Sequence, residues 1–137
     1  MKDGLKILNH EMFFLNLNGK HTFMTAKNFD IRIRTFQFAL KTLQVCKKVK
    51  DENKEYIITN QLSRSATSIG ANVREAKNAE SKADFIHKLS ISQKECDESI
   101  YWIELLTAFL EQESKELRYL LREANELLRI IRSIILN

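Results

Sequence analysis

No proline occurs anywhere in the 137 residues, and from Asn28 onward the only glycine is Gly70. Chains rich in strands turn often, and they turn on glycine, proline and short polar residues. A chain without proline and with almost no glycine beyond residue 27 points to long helices joined by short polar breaks. Its length suits one domain with a core large enough to need no disulfide or metal support.

Periodicity divides the chain accordingly. Residues 1–27 read as an N-terminal extension, and 28–137 as a helical bundle. Within the extension, Asn18-Gly19 lies between Phe13-Leu15-Leu17 and Thr22-Phe23, a pattern suited to a small hairpin. The alternative expectation is a disordered leader over residues 1–23, or a translation start at Met24, directly before the bundle-like region.

The first helix is expected over 28–50. Phe29, Ile33, Phe36, Leu40 and Leu43 form its core line, and Ile31, Phe38, Val45 and Val49 form a second apolar line almost opposite. Asp51-Glu52-Asn53 offers N-caps for a second helix that ends near Lys77. Its core line is Ile58, Leu62, Ser65, Ile69, Val73 and Ala76, flanked by Gln61, Ser68, Asn72 and Glu75.

Ser81 with Asp84 makes a variant capping box for a third helix over 82–110. Its line is Phe85, Leu89, Ser92, Cys96, Ser99, Ile103, Leu106 and Leu110. Both middle helices carry small polar residues at mid-length, which predicts a close seam with hydrogen bonds inside it. Gly70, costly in a helix interior, predicts a close backbone approach.

A fourth helix starts at Lys115, with Leu117, Leu121, Ala124, Leu128, Ile131 and Ile135 as its core. Leu120, Leu127 and Ile134 form a second stripe, widened by Ile130. The fold class read from this is all-α: an antiparallel up-down-up-down four-helix bundle with an irregular N-terminal extension. A lone bundle needs one apolar stripe per helix. The surplus stripes therefore predict a homo-oligomer interface at Ile31, Phe38, Val45, Leu120, Leu127 and Ile134.

Chemistry is sparse. The enzyme natural to such a bundle holds metals with inward Glu and paired Glu-x-x-His motifs, whereas this chain has only Asp84-x-x-His87, with His10 and His21 in the extension. The serines of the second helix lack a nucleophile-elbow setting, and no glycine-rich phosphate loop exists. The expectation is a protein without enzymatic activity, cofactor or metal. Cys46 and Cys96 form no CxxC and fall on or beside apolar faces, as reduced, buried thiols of a cytoplasmic protein would. No stretch is apolar enough to cross a membrane.

The net charge of +4 says little by itself, but its distribution is informative. Residues 28–50 carry a net +5 and residues 81–114 a net −4, and the fourth helix bears Lys115, Arg118, Arg122, Arg129 and Arg132 along one face. Basic stripes of this kind track phosphates. Arg32, Arg34, Lys41, Lys48, Arg118, Arg122, Arg129 and Arg132 are thus candidate contacts to RNA or DNA. The competing reading is a pure protein–protein module, with basic helices paired to acidic ones and no nucleic-acid affinity.

The run Arg64-Ser65-Ala66-Thr67-Ser68-Ile69-Gly70-Ala71-Asn72-Val73-Arg74-Glu75-Ala76, followed by Asp84-Phe85-Ile86 and Tyr101-Trp102, resembles the 23S rRNA intervening-sequence family of four-helix bundles. Two departures are mild: Ala66 replaces a glycine, and Asp97 stands where an asparagine is commoner. The resemblance implies a ring of copies, a pentamer, with no known enzymatic activity. A phage branch, the accessory variability determinant proteins, binds a reverse transcriptase and nucleic acid. Similarity to it implies an adaptor for a reverse transcriptase or another nucleoprotein.

Overall fold

The computed structural model describes the backbone of residues 6–8, 11–15, 21–22 and 26–137, and side chains from Ile31 onward. Two compact units are present, Met1–Asp30 and Ile31–Asn137. In the first, β1 (Lys6–Leu8), β2 (Glu11–Leu15) and β3 (His21–Thr22) form an antiparallel sheet in the order β1-β2-β3. The β2–β3 pairing sets Phe14 opposite Thr22 and Leu15 opposite His21, so the two strands flank Asn18-Gly19. That turn, His10 and Met24 lie outside the described residues. β1 had no counterpart in the sequence reading.

The helices are α1 (Ala26–Asn53), α2 (Ile57–Lys77), α3 (Lys82–Leu110) and α4 (Lys115–Leu136), and the second unit is an all-α bundle of α1 from Ile31 onward with α2, α3 and α4. Partners across the bundle give the directions. Ser99 meets Ser65, and Ser92 meets Ile69, so α3 runs against α2. Thr35 packs on Gly70, placing α1 beside α2. Arg34 pairs with Glu123 and Lys48 with Glu116, so α1 also runs antiparallel to α4. Cys96 of α3 reaches Ala124 of α4. These contacts close a square with α1 and α3 at opposite corners.

The middle of the α2–α3 interface is the polar seam that the sequence implied. The Ser92 hydroxyl donates to the Ile69 carbonyl at 2.9 Å. The Ser99 hydroxyl lies 2.8 Å from that of Ser65 and 2.9 Å from the Glu95 carbonyl, and Ser65 reaches the Leu62 carbonyl at 3.3 Å. Among the described residues, no buried side-chain N or O atom lacks a partner. Gly70 does answer a close approach, but to α1: a Cβ there would lie 3.2 Å from Thr35 Oγ1.

The two apolar lines of α1 exchange roles. Ile31, Phe38, Val45 and Val49 are buried in the core, whereas Phe36, Leu40 and Leu43 of the expected core line are exposed. Ile33 of that line is buried, and the Phe29 side chain lies outside the described residues. Thr35 and Thr42 explain the exchange. Both are fully buried, and their hydroxyls donate to the Ile31 and Phe38 carbonyls at 2.8 and 2.7 Å. A threonine satisfied by its own helix leaves only its methyl to the core, so these residues extend the Ile31–Val49 face.

On α4, Leu120 and Leu127 are wholly buried and Ile134 packs against the core beside Ile135. The second stripe is therefore the deeper part of one broad buried face. The interface expected at Ile31, Phe38, Val45, Leu120, Leu127 and Ile134 is corrected accordingly: the chain's own bundle covers those residues.

Helix starts follow cap chemistry. Ser81 accepts from the Asp84 N–H at 3.0 Å, and the Asp84 carboxylate accepts from the Glu80 N–H at 3.2 Å. Ser114 caps α4 by accepting from the Leu117 N–H at 3.0 Å. The cap of α2 was misplaced. α1 continues through Asp51-Glu52-Asn53, and buried Glu55 serves instead, accepting from the N–H groups of Ile57, Ile58 and Thr59 at 2.8–2.9 Å.

Burial pushes the Glu55 pKa up, but the hydrogen bonds from Ile58, Thr59 and Ile57 outweigh it and hold the value below the usual carboxylate range. With the folded pKa depressed, this stabilisation is complete above the unfolded pKa and disappears as pH falls through the folded one. Glu55→Ala is expected to lose about 1–2 kcal/mol at neutral pH and to show a shallower acid destabilisation than the parent chain. Urea melts at neutral and acidic pH read both; equal acid slopes would remove Glu55 from the account.

Candidate nucleic-acid interface and outward apolar faces

Most of the cations proposed as phosphate contacts already meet carboxylates of their own chain. Arg34 holds Glu123 in a bidentate pair at 2.9 and 3.1 Å, partly buried between α1 and α4. Lys48 lies 3.6 Å from Glu116, Arg118 lies 3.6 Å from Glu113, and Arg132 lies 3.9 Å from Asp97. Arg129 pairs with Glu126 three residues before it. Arg122 stands over the Tyr119 ring, 6.0 Å from its centroid. The Glu116 carboxyl is lowered first by a backbone hydrogen bond and then by Lys48, with Lys41 contributing least.

The geometry explains the pattern. α1 and α3 occupy opposite corners, so the basic charge of α1 is met by Glu116 and Glu123 of α4 and not by acidic α3. Acidic α3 draws its partners from α2 and α4. Arg64 of α2 bridges Glu95, at 3.4 Å, and Glu98, which also accepts from the Trp102 indole at 3.1 Å. The hydrogen bond from Arg64 is the largest influence lowering the Glu98 carboxyl, and the same bond is the largest raising Arg64. These exposed pairs contribute little to stability individually, yet each places a carboxylate beside a cation that would otherwise meet a phosphate.

Another group of cations lies between α1 and α2. Arg32 of α1 stands near Arg74 and Lys77 at the end of α2, because Thr35 and Gly70 fix the register one turn away. Burial first, and then Arg74, lowers the Arg32 guanidinium; burial first, and then Arg32, lowers the Lys77 ammonium. The charge count of the sequence reading stopped at helices one, three and four, and so passed over Arg74 and Lys77.

The exposed apolar side chains gather on two outward faces. Phe36, Leu40 and Leu43 run along α1, with Phe36 56% exposed. Tyr101, Leu105 and Phe109 run along the second half of α3, with Phe109 66% exposed. The α2–α3 register brings Ile57, 79% exposed, to the same end as Leu105 and Phe109.

Among the described residues, no three His, Cys, Asp or Glu gather to hold a metal ion. Asp84 is engaged as a helix cap and His87 is exposed. Cys46 and Cys96 are free and buried; burial, with a smaller contribution from Asp97, pushes the Cys96 thiol up to about 12. Its Sγ donates to the Ala124 carbonyl at 3.2 Å, so it behaves as an inert core thiol. No helix among the described residues is long and apolar enough to cross a membrane.

Comparison with known proteins agrees with this bundle. A crystal structure of a protein of unknown function from the S23 ribosomal protein family of Bacteroides thetaiotaomicron superposes with a TM-score of 0.78 at 36% identity, covering 81% of this chain and 99% of that one. Curated proteins give no significant match. The family described as 23S rRNA-intervening sequence protein matches residues 27–133. With that match spanning most of its length, the chain belongs to the 23S rRNA-intervening sequence protein family.

Proposed function

We propose that the chain is a non-enzymatic scaffold whose copies associate through the outward faces of α1 and α3 and present the assembly to RNA, DNA or a nucleoprotein partner. The carrying observation is the pair of exposed apolar faces on opposite corners of one small bundle. Large exposed apolar groups in rows mark association surfaces. Two different faces on opposite sides favour a head-to-tail contact, which repeats until a ring closes. Five copies is the number implied by the family resemblance. Free, buried thiols suit a reducing, cytoplasmic setting.

Light scattering on the eluting full-length chain at micromolar concentration tests this. The parent is expected well above its 16.1 kDa chain mass, and Phe36→Glu and Phe109→Glu are each expected to return it to that mass. A parent species at 16.1 kDa would overturn the reading.

The nucleic-acid arm competes with a pure protein-interaction module, which the own-chain pairs of Arg34, Lys48, Arg118, Arg129 and Arg132 favour. Filter binding of structured RNA and duplex DNA at two salt concentrations separates the two. Absence of binding at low salt would leave the protein-interaction reading.

A further inference from the structure

We infer that the α3 row of Tyr101, Leu105 and Phe109 seats the α1 row of Phe36, Leu40 and Leu43 from a second copy of this chain, with the two bundles displaced lengthwise by about 12 Å. This rests on the self-association proposed above and adds which face meets which, and at what level.

Charge decides the pairing. Between Ile31 and Lys50 of α1 there is no carboxylate, and between Glu95 and Glu113, across the α3 row, there is no lysine or arginine. Two α1 faces brought together would set cation against cation. Two α3 faces would set carboxylate against carboxylate. Like charges across an interface suppress the contact, and opposite ones steer and hold it. Lys41, beside Leu40, and Glu104, beside Leu105, are exposed and have no ion-pair partner among the described residues. An α1 face on an α3 face supplies each with the other. The rows also match in extent, since each sets its three large apolar side chains within about 12 Å of helix.

The displacement follows from the levels of the two rows within one bundle. Thr35 packs on Gly70, and the neighbouring Ile69 carbonyl accepts from Ser92, so Thr35 stands level with Ser92. The short link after Asn53 turns α2 back against α1, and α3 runs against α2, so α1 and α3 point the same way. Leu40 is then level with Asp97. Leu105, the middle of the α3 row, lies two turns further along, by about 12 Å. Seating one row on the other shifts the second bundle by that length. A closed ring of such contacts requires bundles that lean against its axis, because upright copies would climb into an open filament.

The test mixes two blocked variants of the full chain, with circular dichroism melts to verify folding. Phe36→Glu keeps a working α3 row, and Phe109→Glu keeps a working α1 row. Light scattering is expected to find each alone at the 16.1 kDa chain mass and the equimolar mixture at twice that mass. The level is read by disulfide trapping in the same mixture. Leu40→Cys in the Phe109→Glu chain is expected to cross-link to Leu105→Cys in the Phe36→Glu chain. It is not expected to cross-link to Asp97→Cys, because Cα atoms more than about 7 Å apart are not bridged. The native thiols do not compete, since Cys46 and Cys96 are buried.

Blocked variants that each run alone at twice the chain mass would show like faces pairing; that overturns the α1–α3 contact and leaves self-association standing. A mixture that stays at the single-chain mass while the parent assembles would also overturn the contact. Cross-linking at Asp97→Cys in preference to Leu105→Cys would overturn the displacement. A parent at the mass of one chain would overturn both this pairing and the association on which it rests.

Discussion

Phe38→Ala is expected to remove about 3–5 kcal/mol of unfolding free energy, while Phe36→Ala, two residues away, changes it by no more than about 0.5 kcal/mol. Phe38 is 0% exposed and sits among the buried side chains of the bundle, whereas Phe36 faces outward. Removing the first ring leaves a cavity that closely packed neighbours collapse into only partly. Removing the second leaves no cavity. Urea unfolding at concentrations where parent and variants are both monomeric gives the comparison, because an assembled species would add its association free energy. Equal losses from the two substitutions would return α1 to the orientation first read from its sequence. A small loss from Phe36→Ala in dilute solution, with a large loss of mass in concentrated solution, is the combined signature of an outward face used by another copy.

Ser99→Leu is expected to cost about 2–4 kcal/mol, from about 1–3 for overpacking and about 1 for the lost hydrogen bond. By hydropathy alone, a leucine on this buried line would be judged stabilising. The seam has no room for it: Ser99 and Ser65 hydroxyls are 2.8 Å apart and both residues are fully buried. Ser99→Ala separates the two contributions, since it keeps the volume low and removes only the hydroxyl, at about 1 kcal/mol. Shifts of the urea midpoint measure both. A leucine variant as stable as the alanine one would mean that the α2–α3 approach is looser than the serine contacts indicate.

How far the sequence can be read differs from helix to helix. α2 and α3 are legible because each has one line of buried residues: Leu62, Ser65, Ile69 and Val73 on one, and Leu89, Ser92, Cys96, Ser99 and Ile103 on the other. The serines interrupt hydropathy but keep the spacing, so the close seam follows. On α1, two apolar lines of similar strength compete, and the deciding residues are Thr35 and Thr42, which look polar until their hydroxyls are seen bonded to their own helix. On α4, separating Leu120 and Leu127 from Leu117 and Ala124 divided one broad buried face into two.

The candidate nucleic-acid residues were legible as charges but not as ion pairs. Arg34 and Glu123 are 89 residues apart, and spacing along one helix cannot reveal that they meet. The same blindness hid the meeting of Arg32 with Arg74 and Lys77, because it depends on how α1 lies against α2. The surplus apolar surface was anticipated in principle but assigned to the wrong side of α1, and the Tyr101–Phe109 row of α3 escaped notice.

The contact of Gly70 with Thr35 has a bearing on alignment as well as on closeness. Greasy rods alone can slide along one another at little penalty, since one turn of leucine resembles the next. Here a notch in α2 accepts one threonine of α1, while two serines of α3 clasp its other flank. Displacing α2 lengthwise by one turn, about 5.4 Å, would drive Arg74 or Ala66 into the space that Gly70 leaves and would strand the serine hydroxyls. α2 thus works as a key cut on two edges, and only one setting of the three helices lets it seat.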